Sequence, residues 1–258
     1  MIHIKTPHEI DLIREAGRVV ARAFERIAPY VQPGVSTAFL NEKIDAFVRE
    51  EGAIPAELGY YGYPASVCIS VNEVILHGIP SERQILRDGD IVTLDLVAKK
   101  NGYCGDAART YLVGICGERQ KRMVAIAEEC FYNAVSLVKP GVRLGDVCHA
   151  IEETASKHGC TVAREYTGHG IGREMHEDPY IPCYGTPGTG PILKEGMTIC
   201  IEPMIFEKKN AVRVMKDGWT VVAKDGGLTA HYENTLVVTS GGYEILTKLD
   251  DSGKDEAI

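Results

Sequence analysis

The chain has 258 residues, of which 45% are hydrophobic and 25% are charged, as is ordinary for a water-soluble globular protein. Its formal net charge of -8 and its pI near 5.5 argue against DNA or another nucleic acid as the main ligand, because phosphate binding needs a basic surface. No apolar run approaches the roughly 20 residues that cross a bilayer, so we expect no membrane partner.

The N-terminus and the cysteines both favour a cytoplasmic protein. The segment MIHIKTPHEIDLIREAG is charged and helical in pattern, which is unlike a signal peptide. The eight cysteines are scattered and include no Cys-x-x-Cys pair. We therefore expect free thiols in a reducing compartment and no cysteine-based zinc site.

Four helices are predicted. Thr6 and Glu9 form a capping box around Pro7, and the helix that they begin should run over 7–28. A second helix begins at Ser36 or Thr37 and ends at Gly52, and two more span 118–138 and 144–157.

The remaining elements are strands and loops. Strands are predicted for SVCISV and for 197–202, 212–215, 220–223 and 232–238. The segment after Val162 is predicted to be rich in loops, and the polar tail after Asp250 is expected to fray.

The stretch from Asp88 to Arg109 is predicted to be a β-hairpin that turns at Asn101-Gly102. If those two residues alone form the turn, Asp95 faces Ala108 and Asp106 lies diagonally opposite Asp95. If 99–102 all lie in the loop, Asp95 faces Asp106 directly. Either register places two carboxylates about 5 to 8 Å apart on one face of the sheet. Such a pair requires a proton, a cationic side chain such as that of Arg109, or a metal ion.

An internal repeat provides a second pair of acids. VQPGV at 31–35 recurs as VKPGV at 138–142, an offset of 107 residues that also aligns LRDGDIVTLD with LKEGMTICIE. This alignment matches Asp95 with Glu202, and Glu233 in HYENTLVV is the expected counterpart of Asp106. The chain therefore looks like a duplicated α+β unit with one site between its halves.

Four converging carboxylates suggest metal ions. Around a single ion they would leave a large negative charge, whereas two divalent ions about 3.5 to 4 Å apart would fit the charge count. Three histidines, His77, His169 and His176, are predicted to lie in glycine-containing loops near these strands. His169, between Gly168 and Gly170, is the best placed to complete the site.

Six motifs in order resemble the methionine aminopeptidases, in particular their short bacterial type I form, over about residues 6–249. They are HGIP at 77–80, the pair Asp95 and Asp106, GHGIGREMHEDP, TICIEPM, MKDGWT and HYENT. The resemblance implies the duplicated "pita-bread" fold, with an antiparallel sheet core and helices outside. It also implies one catalytic domain over 1–258, with pseudo-symmetric halves of about 7–115 and 116–249.

The resemblance further implies a role for each of these residues. Asp95 would bind one metal ion, Asp106 and Glu233 would bridge two, and His169 and Glu202 would bind the second. A water or hydroxide bridging two divalent ions (Co, Mn, Fe(II) or Zn) would attack the peptide bond after an N-terminal methionine. Glu202 would shuttle the proton, and His77 and His176 would bind the scissile amide and its oxyanion.

The same resemblance implies a pocket for the methionine side chain. Its walls would be Tyr60, Tyr63, Cys68, Met175 and Trp219, together with His77 and His176. Two positions depart from the family pattern, which more often has an aromatic residue at Met175 and often a histidine at Tyr61. Asn72, Val74 and Thr229 match positions that hold a monovalent cation in some relatives.

Three other functions compete with this one, although all five expected metal ligands are present and two of the acids fall at matched repeat positions. Prolidases and Xaa-Pro aminopeptidases share the fold, a pseudoenzyme could keep it to bind peptides, and a structural protein could carry acid clusters on its surface. The family implies that the partners are the N-termini of nascent polypeptides and that the enzyme prefers those with a small second residue. It also implies a transient ribosome contact, and we expect a cytoplasmic monomer.

Overall fold

A computed structural model describes residues 1–249, so the tail predicted to fray lies outside the described residues. Its four α-helices are α1 Pro7–Ile27, α2 Thr37–Glu50, α3 Glu118–Val135 and α4 Leu144–Lys157. Short 3-10 turns lie at Ala28–Tyr30 and Tyr60–Gly62. No helix among residues 1–249 is long and apolar enough to span a membrane.

The predicted helix starts are confirmed at their caps. The Thr6 hydroxyl accepts from the backbone N–H of Glu9, whose carboxylate accepts in return from the Thr6 N–H. Ser36 caps α2 by accepting from the Phe39 N–H at 3.2 Å. The third helix is shorter than predicted, since it ends at Val135 rather than at 138.

Fifteen strands are present among the described residues. They are β1 Ile54–Pro55, β2 Cys68–Val71, β3 Val74–Leu76, β4 Ile91–Lys100, β5 Tyr103–Leu112, β6 Thr161–Val162, β7 Thr167–Gly170, β8 Glu177–Pro182, β9 Thr198–Ile201, β10 Met204–Phe206, β11 Val212–Val214, β12 Val221–Ala223, β13 Thr229–His231, β14 Asn234–Val238 and β15 Tyr243–Ile245. They form four antiparallel sheets in the orders β1-β4-β2 (with β5 on β4), β13-β10-β6, β11-β12-β3 and β15-β14-β9-β7-β8. The segment after Val162 therefore contains two strands that the sequence analysis assigned to loop.

The two halves repeat their hydrogen bonding. The Gly34 N–H donates to the Leu86 carbonyl, and 107 residues later the Gly141 N–H donates to the Leu193 carbonyl. Isolated bridges pair 36 with 85 and 143 with 192, again at the offset of 107. Both glycines have a φ near +90°, a backbone conformation that side chains with a Cβ rarely adopt. The predicted duplication is thus visible in the backbone.

The second half contains an insertion where the first has only a tight turn. In the first half, β4 and β5 meet at Asn101-Gly102 with no further connection. In the second half, β9–β10 and β13–β14 form the equivalent hairpin, and β11–β12 lie within their connection. Strand β12 pairs with β3 of the first half, and this pairing brings the inserted segment across to the other half.

Each half surrounds its own hydrophobic core. One cluster is formed by residues of α1, α2 and the sheet around β4. The other is formed mainly by α3, α4 and the strands of the second half. Helix α1 lies very close to β5, since a Cβ on Gly105 would be 2.4 Å from the backbone nitrogen of Gly17. Strands β4 and β5 thus contribute to the first core and β9 to the second.

Candidate metal centre

The first hairpin adopts the two-residue turn. Lys100 pairs with Tyr103, Asp95 with Ala108 and Val97 with Asp106. Asn101 and Gly102 both have positive φ, as a type I′ turn requires. Asp106 is therefore diagonal to Asp95 on the same sheet face, and Asp106 is buried whereas Asp95 is partly exposed.

Glu202 and Glu233 lie where the second hairpin is interrupted. Strand β9 ends at Ile201 and β14 begins at Asn234, which pairs with it. Pro203 has no N–H to continue the ladder, so the two glutamates lie opposite each other at a break in the sheet. Both side chains are buried. Glu233 was predicted to lie inside a strand and instead immediately precedes one.

His169 lies on β7 rather than in the loop that the sequence predicted. It pairs with Cys200 of β9. Its neighbouring glycines allow this packing, since a Cβ on Gly168 would be 2.4 Å from the Cys200 carbonyl oxygen. Its Nδ1 is 3.0 Å from the Gly170 carbonyl oxygen, which leaves Nε2 directed at Asp106 Oδ2 (3.5 Å) and Glu202 Oε1 (3.6 Å). A backbone bond to Nδ1 with Nε2 facing acids is typical of metal-binding histidines.

Burial dominates the electrostatics of the cluster. It raises the pKa of Asp106 to about 8, and it raises the pKa of Glu202 well above the usual range, an effect that the charges of Asp95 and Asp106 increase. The pKa of Glu233 is raised in the same way by burial and by Asp106. Burial lowers the pKa of His169 to about 4. Without a cation, the site therefore favours protonated acids and a neutral imidazole.

Arg109 does not neutralise these acids. Its guanidinium donates to the carbonyl oxygens of Ala108 and Glu233 and to the side-chain oxygen of Asn234. Meanwhile Asp106 Oδ1 and Glu233 Oε1 are buried and have no hydrogen-bond partner within the described part of the chain. Buried acceptors of this kind are costly unless a ligand completes them, and carboxylate with imidazole donors suits divalent metal ions. The residues present therefore fit a metal site.

Two further histidines lie next to the cluster. The ring of His176 is 4.4 Å from that of His169, and its Nδ1 is 2.7 Å from the Tyr60 hydroxyl. His77 lies beyond β3 with a φ of 54°, and burial lowers its pKa to about 4. The loop that carries His176 is fixed on the first hairpin, because the Cys104 N–H donates to the Gly172 carbonyl.

The apolar residues predicted to form the pocket fall into two groups. Tyr63 and Cys68 pack with Trp219, whose ring lies 5.1 Å from that of Tyr63. Met175 packs in a separate cluster that Tyr60 borders. The ring of Trp219 also lies 6.0 Å from that of His77. The tryptophan follows β11 in the inserted hairpin, whose strand β12 pairs with β3 of the first half. Tyr61 is 86% exposed and lies outside both groups.

The structure also brings together the three residues of the predicted monovalent cation site. The Thr229 hydroxyl lies 2.8 Å from the Asn72 carbonyl oxygen and 2.9 Å from that of Val74. Asn72 has a φ of 54°, and its carbonyl also accepts from the Thr229 backbone N–H at 2.9 Å.

Sequence reasoning missed three residues at the site. Cys200 lies within 4.8 Å of the cluster, but burial raises the pKa of its thiol. Glu57 is buried, accepts from the N–H groups of Cys68 and Val97 at 3.3 Å, and has its pKa raised by burial and by Asp95. Glu57 carried no signal in the sequence, because an acid in a glycine-rich loop is usually exposed. The third residue, His231, is grouped with Glu202 and Glu233.

Comparison with known proteins identifies the class. Residues 11–240 match the model of metallopeptidase family M24. The chain is 45% identical to methionine aminopeptidase 1 of Bacillus subtilis (strain 168) over 96% of its own length and 100% of the relative's. It is 48% identical to the methionine aminopeptidase of Escherichia coli (strain K12), with 97% and 95% covered.

Solved structures agree. A methionine aminopeptidase from Thermotoga maritima superposes with a TM-score of 0.95 at 46% identity, over 96% of this chain and 100% of that one. A prolidase from Pyrococcus furiosus gives 0.75 at 27% identity, and this chain covers 66% of it. The chain belongs to the M24 metallopeptidase family and has its pita-bread fold. Within that family it groups with the methionine aminopeptidases of the short bacterial form.

Proposed function

We propose that this chain removes the N-terminal methionine from peptides and nascent proteins and prefers a small second residue. The observation that carries the proposal is the buried group of Asp106, His169, Glu202 and Glu233, in which Asp106 Oδ1 and Glu233 Oε1 have no hydrogen-bond partner among residues 1–249. The high similarity to methionine aminopeptidases over the whole domain supports it.

We assign the metal centre to Asp95, Asp106, His169, Glu202 and Glu233. Two divalent ions held there would supply an activated water and polarise the scissile carbonyl. Glu202 is suited to accept and return a proton, because its buried carboxylate would lie beside the activated water.

His77 and His176 are assigned to the scissile amide and the oxyanion. When Nδ1 of His176 accepts from the Tyr60 hydroxyl, its Nε2 carries the proton and can donate to a carbonyl oxygen. His77 is neutral at pH 7 because burial lowers its pKa, so it too can donate one N–H. Neutral donors at these positions stabilise the oxyanion without forming an ion pair with the metal-binding carboxylates.

The apolar walls are assigned to recognition of methionine. Tyr63, Cys68 and Trp219 on one side and Tyr60 and Met175 on the other would contact the thioether side chain. Methionine at 175 is flexible and can occupy the volume of an aromatic ring, so we expect selectivity for methionine to be kept. A monovalent cation at Asn72, Val74 and Thr229 would stabilise the neighbouring backbone.

The proposed substrate, a nascent protein, suggests the compartment and the partner of the enzyme. We propose that it acts in the cytoplasm as a monomer with one catalytic domain made of halves 7–115 and 116–249. There it would contact the ribosome transiently. None of its eight cysteines, all of which are among the described residues, forms a disulfide, as suits a reducing compartment.

A peptide assay tests this function. Protein reconstituted with Mn, Fe(II), Co or Zn is incubated with Met-Ala-Ser and Ala-Pro-Ser, and released amino acids are measured. We expect methionine from Met-Ala-Ser, and at least a 100-fold lower rate from the isosteric variant Glu202→Gln, in keeping with the roughly 10²- to 10⁴-fold contribution of a general acid–base group. Absence of methionine with every metal would refute the proposal. Cleavage of Ala-Pro-Ser alone would assign the chain to the prolidase side of the family.

A further inference from the structure

His231 is a buried histidine with no partner. Its side chain is 1% exposed, and neither Nδ1 nor Nε2 has a hydrogen bond among the described residues. Leaving two polar ring atoms unsatisfied in a core is costly, and buried histidines normally bond at least one of them. An unpartnered imidazole that faces acids therefore indicates a bound ion that the imidazole and the carboxylates would share.

Its position repeats that of Asp106. The Thr235 hydroxyl lies 3.0 Å from the Asp106 backbone nitrogen and 2.8 Å from its carbonyl oxygen. The Thr110 hydroxyl lies 3.0 Å and 2.8 Å from the same two atoms of His231. The pseudo-twofold symmetry between the halves thus matches Asp106 with His231 and Thr110 with Thr235. In both pairs the two residues are 125 positions apart in the sequence. The sequence-based pairing of Asp106 with Glu233 is wrong, since at this offset Glu233 corresponds to Ala108.

The Nε2 atom of His231 faces two carboxylates at distances close to those of His169 Nε2. His231 Nε2 is 3.6 Å from Glu202 Oε2 and 3.8 Å from Glu233 Oε2. Both separations are too long for hydrogen bonds. Ligand atoms that lie about 2.1 Å from one ion are about 3.0 to 3.4 Å from each other. A shift of these side chains by a few tenths of an ångström would therefore let His231 and the two glutamates bind the same ion. The two oxygens of Glu202 therefore face one imidazole each.

We propose that His231 is a further protein ligand of the metal centre and binds through Nε2 an ion that it shares with Glu202 and Glu233. The inference rests on the proposed metal centre and adds a second imidazole to it. The centre then has two imidazoles, one facing each oxygen of the Glu202 carboxylate. A centre with two imidazoles favours borderline metals such as Co²⁺ and Zn²⁺ over Mg²⁺ or Ca²⁺.

The test counts imidazoles directly. Full-length wild type, His231→Gln, His231→Ala and the exposed control His8→Gln are loaded with Co²⁺, checked for folding by circular dichroism and studied by X-ray absorption. We expect two imidazoles for two ions in the wild type and in His8→Gln, and one in both His231 variants. Equilibrium dialysis should show one ion bound more weakly in these variants, by more than the roughly 10- to 100-fold that loss of an outer-shell partner costs.

Glutamine separates ligation from hydrogen bonding, because its amide can still donate to Glu202 but is a poor ligand. An unchanged imidazole count in His231→Gln, or cobalt affinity equal to that of the wild type, would overturn the assignment. A single imidazole in the wild type would overturn it too, while leaving the five-ligand centre intact. A wild type that binds no cobalt would refute the centre itself.

Discussion

Replacing Asp106 with asparagine should stabilise the metal-free protein at pH 8. Burial raises the pKa of this carboxyl from 3.8 to about 8, so between these values the folded state holds a proton that the unfolded chain releases. Stability of the apoprotein therefore falls as the pH rises from about 4 to about 8. At 1.36 kcal/mol per pKa unit the penalty reaches about 6 kcal/mol, and asparagine removes it.

The assay is urea unfolding of EDTA-treated wild type, Asp106→Asn and the exposed control Glu42→Gln at several pH values. We expect Asp106→Asn to exceed the wild type by several kcal/mol at pH 8 and to match it near pH 4. Metal should narrow this difference, because each ion at 100 times its Kd adds about 2.7 kcal/mol to the wild type only. The same variant should lose turnover. Equal apoprotein stabilities at pH 8, or a flat wild-type profile between pH 5 and 8, would refute the reasoning.

Two further predictions concern packing and positioning. Gly105→Ala should destabilise the protein by about 1 to 3 kcal/mol in urea, because the added Cβ would overlap the backbone of Gly17. The control Gly241→Ala, where no atom lies within 4 Å of the added Cβ, should be neutral, and equal effects would contradict the close packing of α1 on β5. Tyr60→Phe should lower kcat about five-fold with little change in the melting temperature, since it removes one hydrogen bond to His176 worth about 1 kcal/mol. An unchanged kcat would show that this bond does not position the imidazole.

The internal repeat predicted one pair of matched site residues but failed to reveal another, because its offset changes along the chain. A gapless offset of 107 holds up to β10, so Asp95 could be matched with Glu202 from the sequence alone. The inserted hairpin β11–β12 then lengthens the connection, and the offset becomes 125 at β13. His231 was therefore not aligned with Asp106, although its backbone is held in the same way.

Local chemistry was predicted more reliably than tertiary surroundings. The capping box at Thr6 and the turn at Asn101-Gly102 depend on neighbouring residues, and both are present as predicted. His169 was expected in a loop because glycines flank it, but those glycines instead let β7 lie against β9. The burial of Glu57 depends on strands distant in sequence, so nothing in its own loop could have indicated it.

The most direct test of the account is anomalous diffraction from crystals of the protein loaded with Mn²⁺ or Co²⁺. The account predicts two anomalous peaks about 3.5 to 4 Å apart, both within bonding distance of the carboxylates of Asp106 and Glu233. Peaks elsewhere, or no peak beside these carboxylates at saturating metal, would contradict the dinuclear centre.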